Sequence, residues 1–296
     1  MLDVNCVLSP FHQIYVYNGR DWAKPLVSNA TSIHVPATWS QSGDSLYLYG
    51  GFDECKVMQE QVQVLNLTTM EVKSFTPRLL TAKPAGVHTE RQCAVVAQDG
   101  SGHVILFGGG LVKSTYARLD VSAQTISYYP LANDPGGWSS GFPASTCALV
   151  GDLLYYFLVA RSAGDRQIWR NYGVINVTSN RHVASPNLLP PPNGVPLAIH
   201  GAILRINATA VLYMAGCVVP ASAACREFSQ NVTLLTNMDD PTNLGYTAMQ
   251  VEGDRLIPSG LCKGTPYSYV AFGSTRGQFA NPERPPYMNA FARHCF

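Results

Sequence analysis

Three histidines come nearest, by type and spacing, to a metal centre in this chain. His34, His88 and His200 each follow a β-branched residue, respectively Ile33, Val87 and Ile199. Each stands 16 to 21 residues before the small residue that ends a pleated apolar segment. Imidazoles gathered on one rim by repeated elements would hold a metal ion or an anion. Ordinary loop or strand-edge histidines would do neither, and both readings stand. Trp138, within NDPGGWSSG at 133–141, and Trp169 are candidate ligand contacts, since an amphipathic ring is a favoured interface anchor. Trp138 has an alternative role as a cap on a packing unit.

Other chemistries lack their signatures. Phosphate-loop and dinucleotide fingerprints are absent, and GFPAS at 141–145 lacks the second glycine of a nucleophile elbow. The run Gly108-Gly109-Gly110 is explained by turn geometry. Net charge is +1 with pI about 7.6, and no Lys/Arg cluster interleaves with aromatics, which disfavours nucleic acid. No CxxC or CxxH pair exists, so a structural zinc site is not expected, and no cofactor is implied.

Cysteines and sequons point to an oxidising compartment. Of eight cysteines, Cys217 and Cys225 flank PASAA in one loop and form the expected local disulfide. Cys6, Cys55, Cys262 and Cys295 lie near loops or termini, where they could staple a closing unit. Cys93 and Cys147 occupy matching positions in successive repeats, as a pair or as two buried thiols. Asn-x-Ser/Thr sequons occur at Asn29, Asn66, Asn176, Asn207 and Asn231, where composition alone would supply about two. Asn66 and Asn176 are also the residues that turns would require there. The opening residues MLDVNCVLSPFHQ carry no signal-peptide pattern, so secretion expects a leader upstream. No apolar run is long enough for a membrane span.

The elements that must position these residues recur. LYLYGG (46–51), VILFGG (104–109), LLYYFLVA (153–160), AVLYMAG (210–216) and YSYVAFG (267–273) are apolar strands ending on a small residue. Their stops are 58, 51, 56 and 57 residues apart, a period of repeat architectures. VQVLN (62–66), YARLD (116–120) and YGVIN (172–176) follow as alternating strands ending on Asn or Asp, which begins a turn. Phe75 and Tyr129 come nine residues after Asn66 and Asp120. Each unit is thus expected to be a four-stranded antiparallel meander. RQCAVV (91–96) and STCALV (145–150) serve as first strands.

With Arg91, Gly50-Gly51, Gly108-Gly109, Asp120 and the two aromatics in place, the chain resembles the kelch-repeat β-propeller family, including the central propeller of galactose-oxidase-like proteins. The resemblance spans nearly the whole chain and is strongest from Trp39 to Tyr129. It weakens where Ala160 replaces the glycine pair, where Ser185 replaces the aromatic, and at the insertion around Cys217 to Cys225. It implies an all-β propeller of about five blades in a single domain over 1–296. IYVYN (14–18) matches the third-strand motif, and the last unit is expected to begin near 248–255 and to lack two strands in its Pro-rich tail. The N-terminal strands would therefore complete the last blade. The alternative is a fragment of a six- or seven-bladed ring.

Two functions follow as expectations. One is a secreted or cell-surface, non-catalytic binding module that takes a protein or glycan on one loop face, as a monomer. The other is an enzyme, either the copper-radical oxidase that the resemblance implies, built on two tyrosines, one linked to cysteine, and two histidines, or another propeller enzyme. Those ligands match no particular positions here. Most tyrosines, such as Tyr47, Tyr49, Tyr155, Tyr156 and Tyr213, fall in second strands, where aromatics pack between blades. Charged residues are only 13% of the chain, so much of the surface is uncharged polar groups or sugar.

Overall fold

In a computed structural model of the protein, the residues described are 16–17, 22–23, 38–42, 44–50, 59–66, 68–69, 71–87, 92–97, 99–108, 115–133, 147–161, 168–183, 202–214, 217–218, 227–228, 231–250, 257–263, 268–274 and 290–295. They form an all-β structure with no helix among them. The chain divides into two compact units, Met1–Pro130 and Leu131–Phe296.

The first unit opens with a two-stranded sheet, β1 (Val16–Tyr17) and β2 (Trp22–Ala23). A four-stranded meander follows in the order β3 (Thr38–Ser42), β4 (Ser45–Tyr49), β5 (Val62–Asn66) and β6 (Val72–Phe75). The next sheet runs β7 (Arg78–Leu79), β11 (Thr125–Pro130), β10 (Thr115–Asp120), β9 (Val104–Gly108), β8 (Gln92–Val96). Here β8 to β11 are the meander, and β7 lies parallel against its outer strand. In β5 Val62 and Leu65 are both buried, on opposite faces of the sheet, and β9 buries Val104 through Phe107 in succession, so both inner strands are covered on their two faces. The two meanders share one core: Tyr49, Val62, Val104, Leu106, Ala117, Leu119, Ile126 and Tyr128. Each such aliphatic side chain removed from water contributes about 1.5–3 kcal/mol.

The second unit holds the meander β12 (Cys147–Val150), β13 (Leu153–Arg161), β14 (Ile168–Asn176), β15 (Arg181–His182). The next sheet pairs β16 (Ala202–Arg205), β17 (Val211–Met214), β20 (Asn231–Thr236) and β21 (Gly245–Gln250), with the hairpin β18 (Cys217–Val218) and β19 (Glu227–Phe228) inserted between its second and third strands. The last sheet has three strands, β22 (Ile257–Lys263), β23 (Ser268–Ser274) and β24 (Ala290–Cys295). Ala148, Val150, Tyr155, Val174, Val211, Tyr213, Leu235 and Met238 form this unit's core between its first two sheets.

The end of the chain departs from the sequence expectation. Residues 245–250 are the fourth strand of the preceding sheet, and the last sheet's first strand is β22. The Pro-rich tail still supplies a strand: β24 pairs with β23 over six positions, because the prolines of NPERPP precede it. The described partner of β1 is β2.

Within each unit the first strands of successive sheets adjoin, β3 with β8 and then β12 with β16 and β16 with β22. Outer strands are covered by connectors. Arg78 and Leu80 donate to the carbonyls of Gln124 and Ile126 beside β11, and Ala132 exchanges hydrogen bonds with Asn180 and His182 beside β15. This second clasp repeats the first, and it shields edges that would otherwise pair with other chains.

Candidate functional site

Antiparallel meanders put two kinds of connection at opposite ends of a sheet. The first-to-second and third-to-fourth turns share one end, as the registers Ser45↔Asn66, Leu153↔Asn176 and Val211↔Leu235 require. Second-to-third loops lie at the other end.

The turn end is organised by Asx side chains. Asn66 Oδ1 accepts from the backbone N–H groups of Thr68 and Thr69 at 2.9 and 2.8 Å. Asn176 Oδ1 accepts from Thr178 and Ser179 at 3.0 and 2.8 Å. Asp120 fills the same place, taking the Ser122 hydroxyl at 2.7 Å and the Ala123 N–H at 2.8 Å. Four residues on, Gln124 and Asn180 adopt the left-handed conformation that closes such turns (φ 53° and 52°). In the first-to-second turn of the β16 sheet, Asn207 Oδ1 accepts from Thr209 N at 2.9 Å.

The Asp120 turn also carries charge. His103 Nε2 lies 3.3 Å from Asp120 Oδ2. The Ala123 N–H first, then the Ser122 hydroxyl and the imidazole, hold the Asp120 carboxyl below the usual carboxylate range. Asp99 is lowered in the same way by the Ser101 hydroxyl and N–H. Beside it, the Arg118 guanidinium lies 6.0 and 5.5 Å from the rings of Tyr116 and Tyr129, which stack at 5.2 Å. This cross-strand pair accounts for Tyr129, nine residues after Asp120, while Phe75, nine after Asn66, faces Val62.

The loop end differs between sheets in one respect. Gly50 and Gly108 stop their strands with φ of 69° and 90°, a conformation that a Cβ disfavours. By register Leu158 stands where the third repeat would have such a glycine, two residues before the Ala160 that the sequence pattern put there, and β13 runs on to Arg161. It pairs with β14 at nine positions, against five for β4 with β5. The four added pairs, Leu158↔Asn171 to Arg161↔Ile168, carry the hairpin about 13 Å further at about 3.3 Å per residue. Trp169 lies on this extension, opposite Ala160.

Six tyrosines are buried among the described residues. Burial raises the phenols of Tyr49, Tyr213, Tyr128 and Tyr116 above their ordinary value, with Arg118 opposing the shift at Tyr116. A tyrosine that must ionise to bind a metal would meet that desolvation cost in full. Tyr155 and Tyr156 are fully buried as well. Packing is thus the role of these buried rings, Tyr49, Tyr155, Tyr156 and Tyr213 on second strands, Tyr116 on a third and Tyr128 on a fourth.

Of the residues singled out in the sequence, His34, His88, His200, Trp138, Asn29 and Cys225 lie outside the described residues. Cys217 opens the inserted hairpin opposite Phe228, and Asn231 opens β20 opposite Gln250. Cys93 and Cys147 are buried and disulfide-bonded, so the alternative of two free thiols falls away. Among the described residues no group of three His, Cys, Asp or Glu gathers around a common point. No helix among them is long and apolar enough to cross a membrane.

No family profile and no curated protein sequence matches the chain. Among solved structures it is similar to one described as the structure of YjhT. The two are 13% identical with a TM-score of 0.58, over 90% of this chain and 85% of that one. At that identity the likeness concerns the fold.

Proposed function

We propose that the protein is a secreted kelch-type β-propeller of about five blades that acts as a non-catalytic binding module for a protein or glycan. Supporting the propeller are the repeated meanders, the adjoining first strands within each unit and the strand-stopping glycines. Supporting an oxidising compartment are the disulfide-bonded Cys93 and Cys147.

The observation that carries the binding reading is the β13–β14 hairpin. A strand pair extended four positions past the usual stop brings a tryptophan to the loop end. An aromatic anchor on a rigid hairpin presents contact area at low entropic cost. The buried rings of Tyr49, Tyr155, Tyr156 and Tyr213 are taken up by packing, so recognition is assigned to loop residues, with Trp169 and Trp138 as the candidates.

A glycan array and a screen against secreted proteins, run with metal analysis of the same preparation, identify the ligand class. Trp169→Ala is then expected to weaken the bound ligand at least about tenfold, the scale of an aromatic hot spot, with unchanged circular dichroism. Full affinity in the folded variant, or a stoichiometric metal with turnover of a substrate, would sink this reading.

A further inference from the structure

We infer that Asn66, Asn176 and Asn207 are sites of N-linked glycosylation, and that sugar coats the turn end of the sheets that carry them. All three satisfy the Asn-x-Thr pattern with Leu67, Val177 and Ala208 between. The structure adds to the pattern in three ways.

First, each asparagine is held by its oxygen. The hydrogen bonds to the Asn66, Asn176 and Asn207 side chains all enter through Oδ1, from backbone N–H groups of the turn and, at Asn176, also from the Ser179 hydroxyl. With Oδ1 turned toward the turn, Nδ2 is turned away from it. Second, the surroundings are open: Thr68, Thr69, Thr178, Ser179, Asn207 and Ala208 are exposed. Third, the chain's two cysteines with described side chains are oxidised, a state shared by proteins of the secretory compartments in which N-glycans are attached. Asn231 differs, because it stands in the β20–β21 ladder at the opposite end of its sheet, and the inference does not extend to it.

The reaction takes an oligosaccharide from a lipid diphosphate donor. Asn Nδ2 forms a bond to the anomeric carbon, the bond from that carbon to the diphosphate oxygen breaks, and the diphosphate leaves with the electron pair. One amide proton passes to a base. Asp120 is the natural comparison: it fills the same turn without an amide nitrogen, so the turn itself does not need the sugar.

This inference is independent of what the loop end binds. The test is secretion of the full chain from a eukaryotic host, followed by peptide-N-glycosidase treatment in heavy-oxygen water and peptide mapping. Heavy-oxygen Asp is expected at positions 66, 176 and 207 in most molecules. Thr68→Ala, Thr178→Ala and Thr209→Ala should each abolish the mark at the matching site alone. These threonines donate their backbone N–H to the turn, which alanine retains. Unmarked asparagines in secreted folded protein, or marks that survive the threonine changes, would overturn the proposal. Ligand binding measured before and after sugar removal reads the separate question of the loop end.

Discussion

The Tyr155 hydroxyl donates to the backbone carbonyl of Met238 at 2.5 Å, across 83 residues of sequence. Both residues are fully buried, and they join the second strand of one sheet to the third-to-fourth turn of the next. Tyr155→Phe keeps the ring and removes the donor, leaving a buried carbonyl without this partner. A loss of about 1–3 kcal/mol is expected. Urea unfolding should show a lower midpoint at unchanged slope, and an unchanged midpoint would mean that the bond contributes nothing.

Gly173 faces Tyr156 across the β13–β14 ladder, and the Tyr156 ring lies over it. A Cβ built there would run into the ring's Cζ and hydroxyl, so Gly173→Ala must displace a fully buried tyrosine. The expected cost is roughly 1–3 kcal/mol, the range for overpacking. Combining it with Tyr156→Leu should recover part of the loss, because the smaller side chain vacates the contested space. Thermal melts of the two single variants and the double variant check the coupling; strictly additive effects would place the clash elsewhere.

The meanders were legible because their signals are local. A glycine stop reports a positive φ, as Gly50 and Gly108 bear out, and a terminal Asn or Asp reports the turn that Asn66, Asp120 and Asn176 all make. The third repeat's lack of a glycine stop was visible too, but the register that puts Leu158 rather than Ala160 at that position depended on the strand partner: nothing in residues 158–161 alone says that they pair with 168–171. The same limit explains the last sheet. GYTAMQ (245–250) alternates well enough to open a new unit, and only its ladder to β20 assigns it to the sheet before. The connectors at Arg78–Leu79 and Ala132 escaped notice because two or three residues of edge pairing carry no periodicity. The candidate site was less legible than the fold, since scaffold positions repeat and contact residues do not.

The Asp120 turn makes a prediction about acid. Its carboxyl titrates below its ordinary value in the folded chain, through the Ala123 N–H, the Ser122 hydroxyl and His103. On acidification the unfolded chain therefore takes up the proton first. The stabilisation is complete above the unfolded value near pH 4 and fades as the pH falls through the lower folded one. The side chain is 30% exposed, so solvent screening limits the effect to less than about 1 kcal/mol at neutral pH. Asp120→Asn preserves the acceptor that Asn66 and Asn176 use in the same turn, and it removes the titration. Because the change completes an Asn-x-Ser sequence with Val121 and Ser122, the variant belongs in a host without N-glycosylation, such as the bacterial periplasm. Its unfolding free energy should be slightly lower than that of the parent at neutral pH and should fall less steeply below pH 4. Parallel curves through that range would show that Asp120 has the same proton affinity folded and unfolded.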